Sequence, residues 1–123
     1  MVLADTSIWT DHIRSPSPEL SDRLAVGEVL MHPFIVGELA LGNLPDRSRF
    51  LADLLEMPKA EPADDREVLA MVEMNGLTGR GIGWVDVHLI ASARLRPGTV
   101  LWTRDKRMFA VSRELGLPTA GLH

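Results

Sequence analysis

The sequence predicts an α/β fold, with a central, mostly parallel sheet flanked by helices in three layers, as one domain over residues 1–123. Three observations carry this. Short apolar runs at Val2–Ala4, Val29–Met31 and Val100–Trp102 read as strands, and segments of helical period separate them. Strands with no polar face must be covered on both sides, as in parallel sheets. A length of 123 residues suits a single domain and lets a chain bury roughly two-thirds of its unfolded surface.

Val2–Ala4 is the first strand. Ser7–Arg14 is helical, with Thr6 or Ser7 placed to cap it. Ser15-Pro-Ser-Pro18 is a loop, and Glu19–Val26 is a second helix stopped by Gly27. After the Val29–Met31 strand, Pro33 suits the first turn of a helix running to Leu41, with Gly42-Asn43 as its stop. Asp46–Leu55 is helical, and Pro58 and Pro62 bracket an extended piece at Lys59–Glu61. Asp64 and Glu67 have the spacing of a capping box for a helix ending near Met74. Gly76–Gly83 is a glycine-rich loop and Trp84–Leu95 a helix stopped by Pro97-Gly98. The Val100–Trp102 strand precedes a helix over Lys106–Leu115, which Gly116 ends.

Composition narrows the function. Apolar residues make up 46% and charged residues 24%, which excludes wholesale disorder. The absence of cysteine excludes disulfide scaffolds, thiolate zinc sites and cysteine nucleophiles. His12, His32, His88 and His123 lack zinc spacing. Asp5 sits where a signal peptide would be positive, and no apolar run approaches the ~18 residues of a membrane span, so a cytoplasmic protein is expected. Trp9, Trp84 and Trp102 lie within apolar segments, which predicts core packing rather than base stacking. The net charge of −4 argues against a generic polyanion binder. It hides an asymmetry: residues 1–74 hold 14 acids and 6 Lys/Arg, whereas residues 75–123 hold 3 acids and 7 Lys/Arg. Arg94, Arg96, Arg104, Lys106 and Arg107 crowd into a patch able to meet phosphates, or else form a solvated basic face.

Four acids stand where acids are costly. Asp5 follows the first strand and Asp105 follows the Val100–Trp102 strand by a short turn. Parallel neighbours would deliver both to the carboxyl edge of the sheet, where α/β folds bind ligands. Each also precedes a helix, so a capping role is the alternative. Glu38 is the one charge in Pro33–Leu41, with Ile35 and Leu41 three residues to either side, which predicts an apolar helix face, an exposed edge of the helix being the alternative. Asp86 begins the stripe continued by Leu89, Ile90 and Ala93, although an acid at a helix start also suits the helix dipole. Four carboxylates brought together repel, and a divalent cation with oxygen ligands removes the conflict. Such a centre holds phosphate oxygens and activates water.

The stretches Val2-Leu-Ala-Asp-Thr-Ser7, Val36-Gly-Glu-Leu-Ala-Leu-Gly42, Gly83-Trp-Val-Asp-Val-His-Leu-Ile-Ala-Ser-Ala93 and Leu101-Trp-Thr-Arg-Asp-Lys-Arg-Met-Phe109 resemble, in order and over nearly the whole chain, the PIN-domain ribonucleases. They are most similar to the VapC-type toxins of bacterial toxin–antitoxin pairs. The acids lie 33, 48 and 19 positions apart, and the Gly76-Leu-Thr-Gly-Arg-Gly-Ile-Gly83 run looks like one VapC subgroup. The resemblance implies a PIN-like fold and an acidic quartet of Asp5, Glu38, Asp86 and Asp105 binding Mg2+, with Mn2+ as an alternative. It also implies supporting hydroxyls at Thr6 and Thr103, RNA as substrate, and a 5′-phosphate and a 3′-hydroxyl as products. It further implies a homodimer and a cognate antitoxin whose C-terminal segment approaches the acids. Helices across residues 7–55 are expected to offer a groove for it. Arg104, Lys106 and Arg107 are expected to carry the RNA backbone, and Arg80 to reach a phosphate from a mobile loop. His88 falls at a variable position and takes no catalytic role. A nucleotide-binding reading of the glycine-rich loop fails because the segment joins two helices rather than following a strand. The alternatives are a DNA nuclease on the same scaffold and a non-catalytic PIN-like binding module. A phosphoacceptor receiver domain fits poorly, lacking a paired acid at the first strand.

Overall fold

The computed structural model describes residues 1–121; His123 lies outside the described residues. Four strands, β1 (Val2–Ala4), β2 (Val29–Leu30), β3 (Val100–Trp102) and β4 (Thr119–Ala120), form one sheet in the order β2-β1-β3-β4. Every pairing among them is parallel. Seven helices join them: α1 (Thr6–Arg14), α2 (Pro18–Ala25), α3 (Pro33–Ala40), α4 (Arg47–Glu56), α5 (Asp65–Met74), α6 (Trp84–Leu95) and α7 (Lys106–Glu114).

All three residues of β1 are buried. Successive side chains of a strand point to opposite faces, so the sheet is covered on both. Leu3, Leu30 and Leu101 form the middle of the core with Ile35, Leu89, Ile90 and Met108. α1 lies against β1 and packs on α3, while α6 lies against β3 and packs between α5 and α7.

The register places the site. Ala4 pairs with Trp102 in the β1–β3 ladder. One step further, the Asp5 N–H donates to the Trp102 carbonyl at 2.9 Å. Asp5 and Thr103 therefore leave the sheet side by side at its carboxyl edge.

Several local expectations change. Asp5, not Thr6 or Ser7, caps α1: its backbone is extended and its carboxylate accepts from the Ile8 N–H. Thr6 and Ser7 already have helical positions, where a side chain cannot act as the cap. Asp64 accepts from the Arg66 and Glu67 N–H groups, the capping half of the expected box. The extended piece at Lys59 bridges Met31 in parallel. β4 was not foreseen, because two residues after Pro118 carry no periodicity. His32 caps α3 through Nδ1, which accepts from the Phe34 N–H at 3.0 Å. Burial and the neighbouring His88 hold His32 down to about 4, so near neutral pH the ring is uncharged and able to accept.

Candidate metal centre

Asp5 is 4% exposed, and both of its oxygens are engaged. Oδ1 accepts from the Ile8 N–H at 3.2 Å and from Ser7 Oγ at 2.5 Å. Oδ2 accepts from Thr103 Oγ1. A buried carboxylate without donors is costly, and three donors hold this one in place. Thr103 also ties in Asp105: its Oγ1 accepts from the Asp105 N–H at 3.0 Å. Asp105 is exposed, and its Oδ1 caps α7 by accepting from the Met108 N–H at 2.9 Å. Capping and ligation do not exclude each other, since a carboxylate has two oxygens with several lone pairs.

Glu38 departs from its expected burial. Ile35 and Leu39 form the buried line of α3, whereas Glu38 is exposed and Leu41 is 91% exposed. Residues three before and three after a position lie on either side of it, so their apolar character did not fix its direction. Glu38 Oε1 accepts from Thr6 Oγ1 at 2.5 Å, which holds it beside the start of α1.

Asp86 lies within reach of the charges of the other three. It is half-buried in the first turn of α6. Its carboxyl is pushed up to about 6, chiefly by burial, then by the charges of Asp105 and Asp5, and least by Glu38. A backbone N–H of Gly83 pulls the other way. The remaining three acids of the quartet are thus all close enough for their fields to reach this one. Among the described residues, however, no three His, Asp or Glu side chains already stand close enough to share an ion. Mutual repulsion opposes such closeness. The donor set is nevertheless all oxygen, the chemistry that Mg2+ and Mn2+ prefer, and a cation would discharge the repulsion at Asp86.

Ser7 is a site residue that the sequence reading did not single out. It donates to Asp5 and its Oγ accepts from the Arg104 N–H at 3.4 Å. Its place in the Asp5-Thr6-Ser7 block was the available signal. The basic residues have partners of their own. Arg104 pairs with Asp11, Nε to Oδ2 at 2.5 Å and Nη2 to Oδ1 at 3.2 Å. Arg80 pairs with Glu114, and Arg107 donates to the Gly81 carbonyl. Lys106 is exposed. Of the tryptophans, Trp9 is buried and Trp102 partly so, but Trp84 is 43% exposed, standing edge-on to His88. The His88 ring is buried between Trp84 and Phe34, with Nε2 3.0 Å from Asp65 Oδ1.

Comparison with known proteins agrees with this fold. The profile of the PIN domain family matches residues 2–114. Ribonuclease VapC32 of Mycobacterium tuberculosis, strain CDC 1551 / Oshkosh, is 39% identical over 120 residues, covering 98% of this chain and 97% of the relative. The same protein from strain ATCC 25618 / H37Rv matches equally well. The chain belongs to the PIN-domain family, in its branch of VapC-type ribonucleases.

Proposed function

We propose that the protein is the endoribonuclease toxin of a toxin–antitoxin pair and hydrolyses RNA phosphodiester bonds with a divalent cation held by its acidic quartet. The observation that carries this is the Thr103 hydroxyl at the carboxyl edge of the sheet, which donates to Asp5 Oδ2 and accepts from the Asp105 N–H, in a chain 39% identical to a VapC ribonuclease. Asp5, Asp86 and Asp105 would hold Mg2+ or Mn2+, with Thr6 and Thr103 orienting the carboxylates. The cation supplies charge to the phosphoryl oxygens and lowers the pKa of water. Glu38, exposed and held by Thr6, would complete the quartet by positioning the attacking water. Asp5, fixed by three donors, gives the centre one ligand that needs no rearrangement.

Asp5→Asn keeps an acceptor for the Ile8 N–H and so keeps the helix cap. We expect it to fold and to lose at least about 100-fold in RNA cleavage, comparable to losing one strong electrostatic contact in an active site. Parallel assays on single-stranded RNA and DNA check both the assignment and the substrate. Full activity in this variant, or cleavage of DNA alone, would reject the proposal.

Arg104 and Lys106 flank Asp105, and we assign them to the RNA backbone, whereas Arg107 is engaged with the Gly81 carbonyl. Arg104 would exchange Asp11 for phosphate at little cost, because exposed pairs are weak. Binding of RNA to the Asp5→Asn protein should weaken with salt. Replacing Arg104 and Lys106 together by alanine should reduce that slope by about 1.5, at roughly 0.7 per contact with a single strand. An unchanged slope would remove them from the interface.

Partners fit two apolar surfaces. A groove of about 370 Å³, lined by Met31, Val36, Leu54, Leu55, Ala60 and Pro62, has the character to take an apolar helix face of the antitoxin. Phe34, Leu69, Met74 and Trp84 are exposed on α3, α5 and α6, and we assign them to a homodimer contact. Sedimentation should give the mass of two chains, falling to one in Trp84→Glu; a monomer at all concentrations contradicts this. Among the described residues no helix is long and apolar enough to cross a membrane; we place the protein in the cytoplasm.

A further inference from the structure

Two arginines outside the acidic quartet tie one loop to one helix. Residues 76–83 carry the chain from α5 to α6, and Asp86 stands in the first turn of α6. Gly79 and Gly81 have φ of +75°, a region that other residues rarely adopt, and a glycine-rich backbone is loose when left alone. This one is fastened. Arg80 makes a forked pair with Glu114, the last residue of α7: Nη1 to Oε2 at 2.5 Å and Nη2 to Oε1 at 2.9 Å. Arg107, in the first turn of α7, donates Nη1 to the Gly81 carbonyl at 3.4 Å. A Cβ at Gly81 would come within 2.7 Å of that nitrogen, so any other residue there would push the Arg107 tip aside. Asp105 caps the same helix. The loop that delivers Asp86 is therefore attached at two points to the helix that begins at Asp105.

We infer that the Arg80–Glu114 pair and the Arg107–Gly81 contact set the gap between Asp86 and Asp105, so that Arg80, Glu114 and Arg107 are positioning residues of the metal centre. This rests on the proposed reading of that centre. A lone exposed ion pair adds little stability, but a forked guanidinium–carboxylate pair fixes direction as well as distance. Glu114 lies nine residues beyond Asp105, about 13 Å along a helix. It is an anion and does not itself serve RNA, so it reports on the clamp without touching the substrate. A direct role of Arg80 on phosphate predicts the opposite response, because freeing Arg80 from Glu114 would then tighten RNA binding.

The test uses the whole protein, Glu114→Gln, and the exchange of partners Arg80→Glu with Glu114→Arg. In metal-free protein, Glu114→Gln should speed amide hydrogen exchange over residues 82–87 about tenfold and leave the Leu3 and Leu101 amides unchanged, as expected of local loosening. By calorimetry with Mg2+ alone, its affinity should fall about tenfold, the lower end for losing a residue that orients ligands. The KM for RNA should not change. The partner exchange should restore both exchange rates and Mg2+ affinity. Unchanged exchange, unchanged Mg2+ affinity, or tighter RNA binding in Glu114→Gln each overturns the clamp. If the unaltered protein binds no Mg2+, the proposed metal centre falls and the clamp falls with it; equal binding in protein and variant removes the clamp alone.

Discussion

Replacing Asp86 by asparagine is expected to abolish RNA cleavage and, in the absence of metal, to make the protein more stable. The two effects share a cause. Burial first, and then the charges of Asp105, Asp5 and Glu38, push the half-buried Asp86 carboxyl from 3.8 to about 6. An acid whose pKa is raised by folding favours the fold in its protonated form. Its contribution is complete below about pH 4, where the unfolded chain is also protonated. It is lost as pH rises through about 6. The shift of about two units corresponds to roughly 3 kcal/mol, which solvent screening of a half-exposed group reduces to about 1–2 kcal/mol. Asparagine carries no charge to repel and does not titrate. In a chelator at pH 8 the variant should unfold at higher denaturant than the parent, and the difference should vanish near pH 4. Added Mg2+ should stabilise the parent by mass action but leave the variant unmoved. Cleavage should fall at least about 100-fold, on the scale of losing one strong electrostatic contact. A variant less stable than the parent at pH 8 without metal would show that Asp86 does not bear the convergent field.

Thr103→Val should produce the largest loss of stability among the residues around the acids. Thr103 is fully buried, and its hydroxyl joins two of them. It donates to Asp5 Oδ2 and accepts from the Asp105 N–H. Valine matches the shape but strips a donor from a buried carboxylate and an acceptor from a backbone N–H. Each loss costs about 1–3 kcal/mol; at about 1.5 kcal/mol each, because Asp5 keeps two other donors, the sum is about 3 kcal/mol. That corresponds to a fall in melting temperature of roughly 10 °C for a chain of this size. Cleavage should also drop, because Asp5 and Asp105 lose their common anchor. Thr103→Ser keeps the hydroxyl and should retain most of both properties. Equal behaviour of the valine and serine variants would remove the hydroxyl from the account.

Asp5, Asp86 and Asp105 were legible as candidates because of where they stand in the sequence. Acids that end apolar strands, and an acid opening the inward stripe of α6, contradict their surroundings and can be seen without coordinates. Where an element is short or a partner distant, the sequence is silent. β4 has two residues and no period. Asp11 and Glu114 look like ordinary surface acids until the fold brings Arg104 and Arg80 to them across 93 and 34 positions. Glu38 was expected to be buried because Ile35 and Leu41 flank it, but the core takes α3 from the side of Ile35 and Leu39. Asp5 and Asp105 were weighed as caps or as ligands; the structure shows each as a cap, which leaves the second role open to the tests above.

The all-parallel sheet governs when the centre can exist. A hairpin brings its two arms together as soon as it leaves the ribosome, but β1 waits for β3, and Asp5 waits for a hydroxyl 98 positions later. Contacts so remote in the chain close late. A polypeptide that has not yet reached Thr103 lacks the buried hydroxyl that holds Asp5, so this acid takes its place only after the third strand has been made.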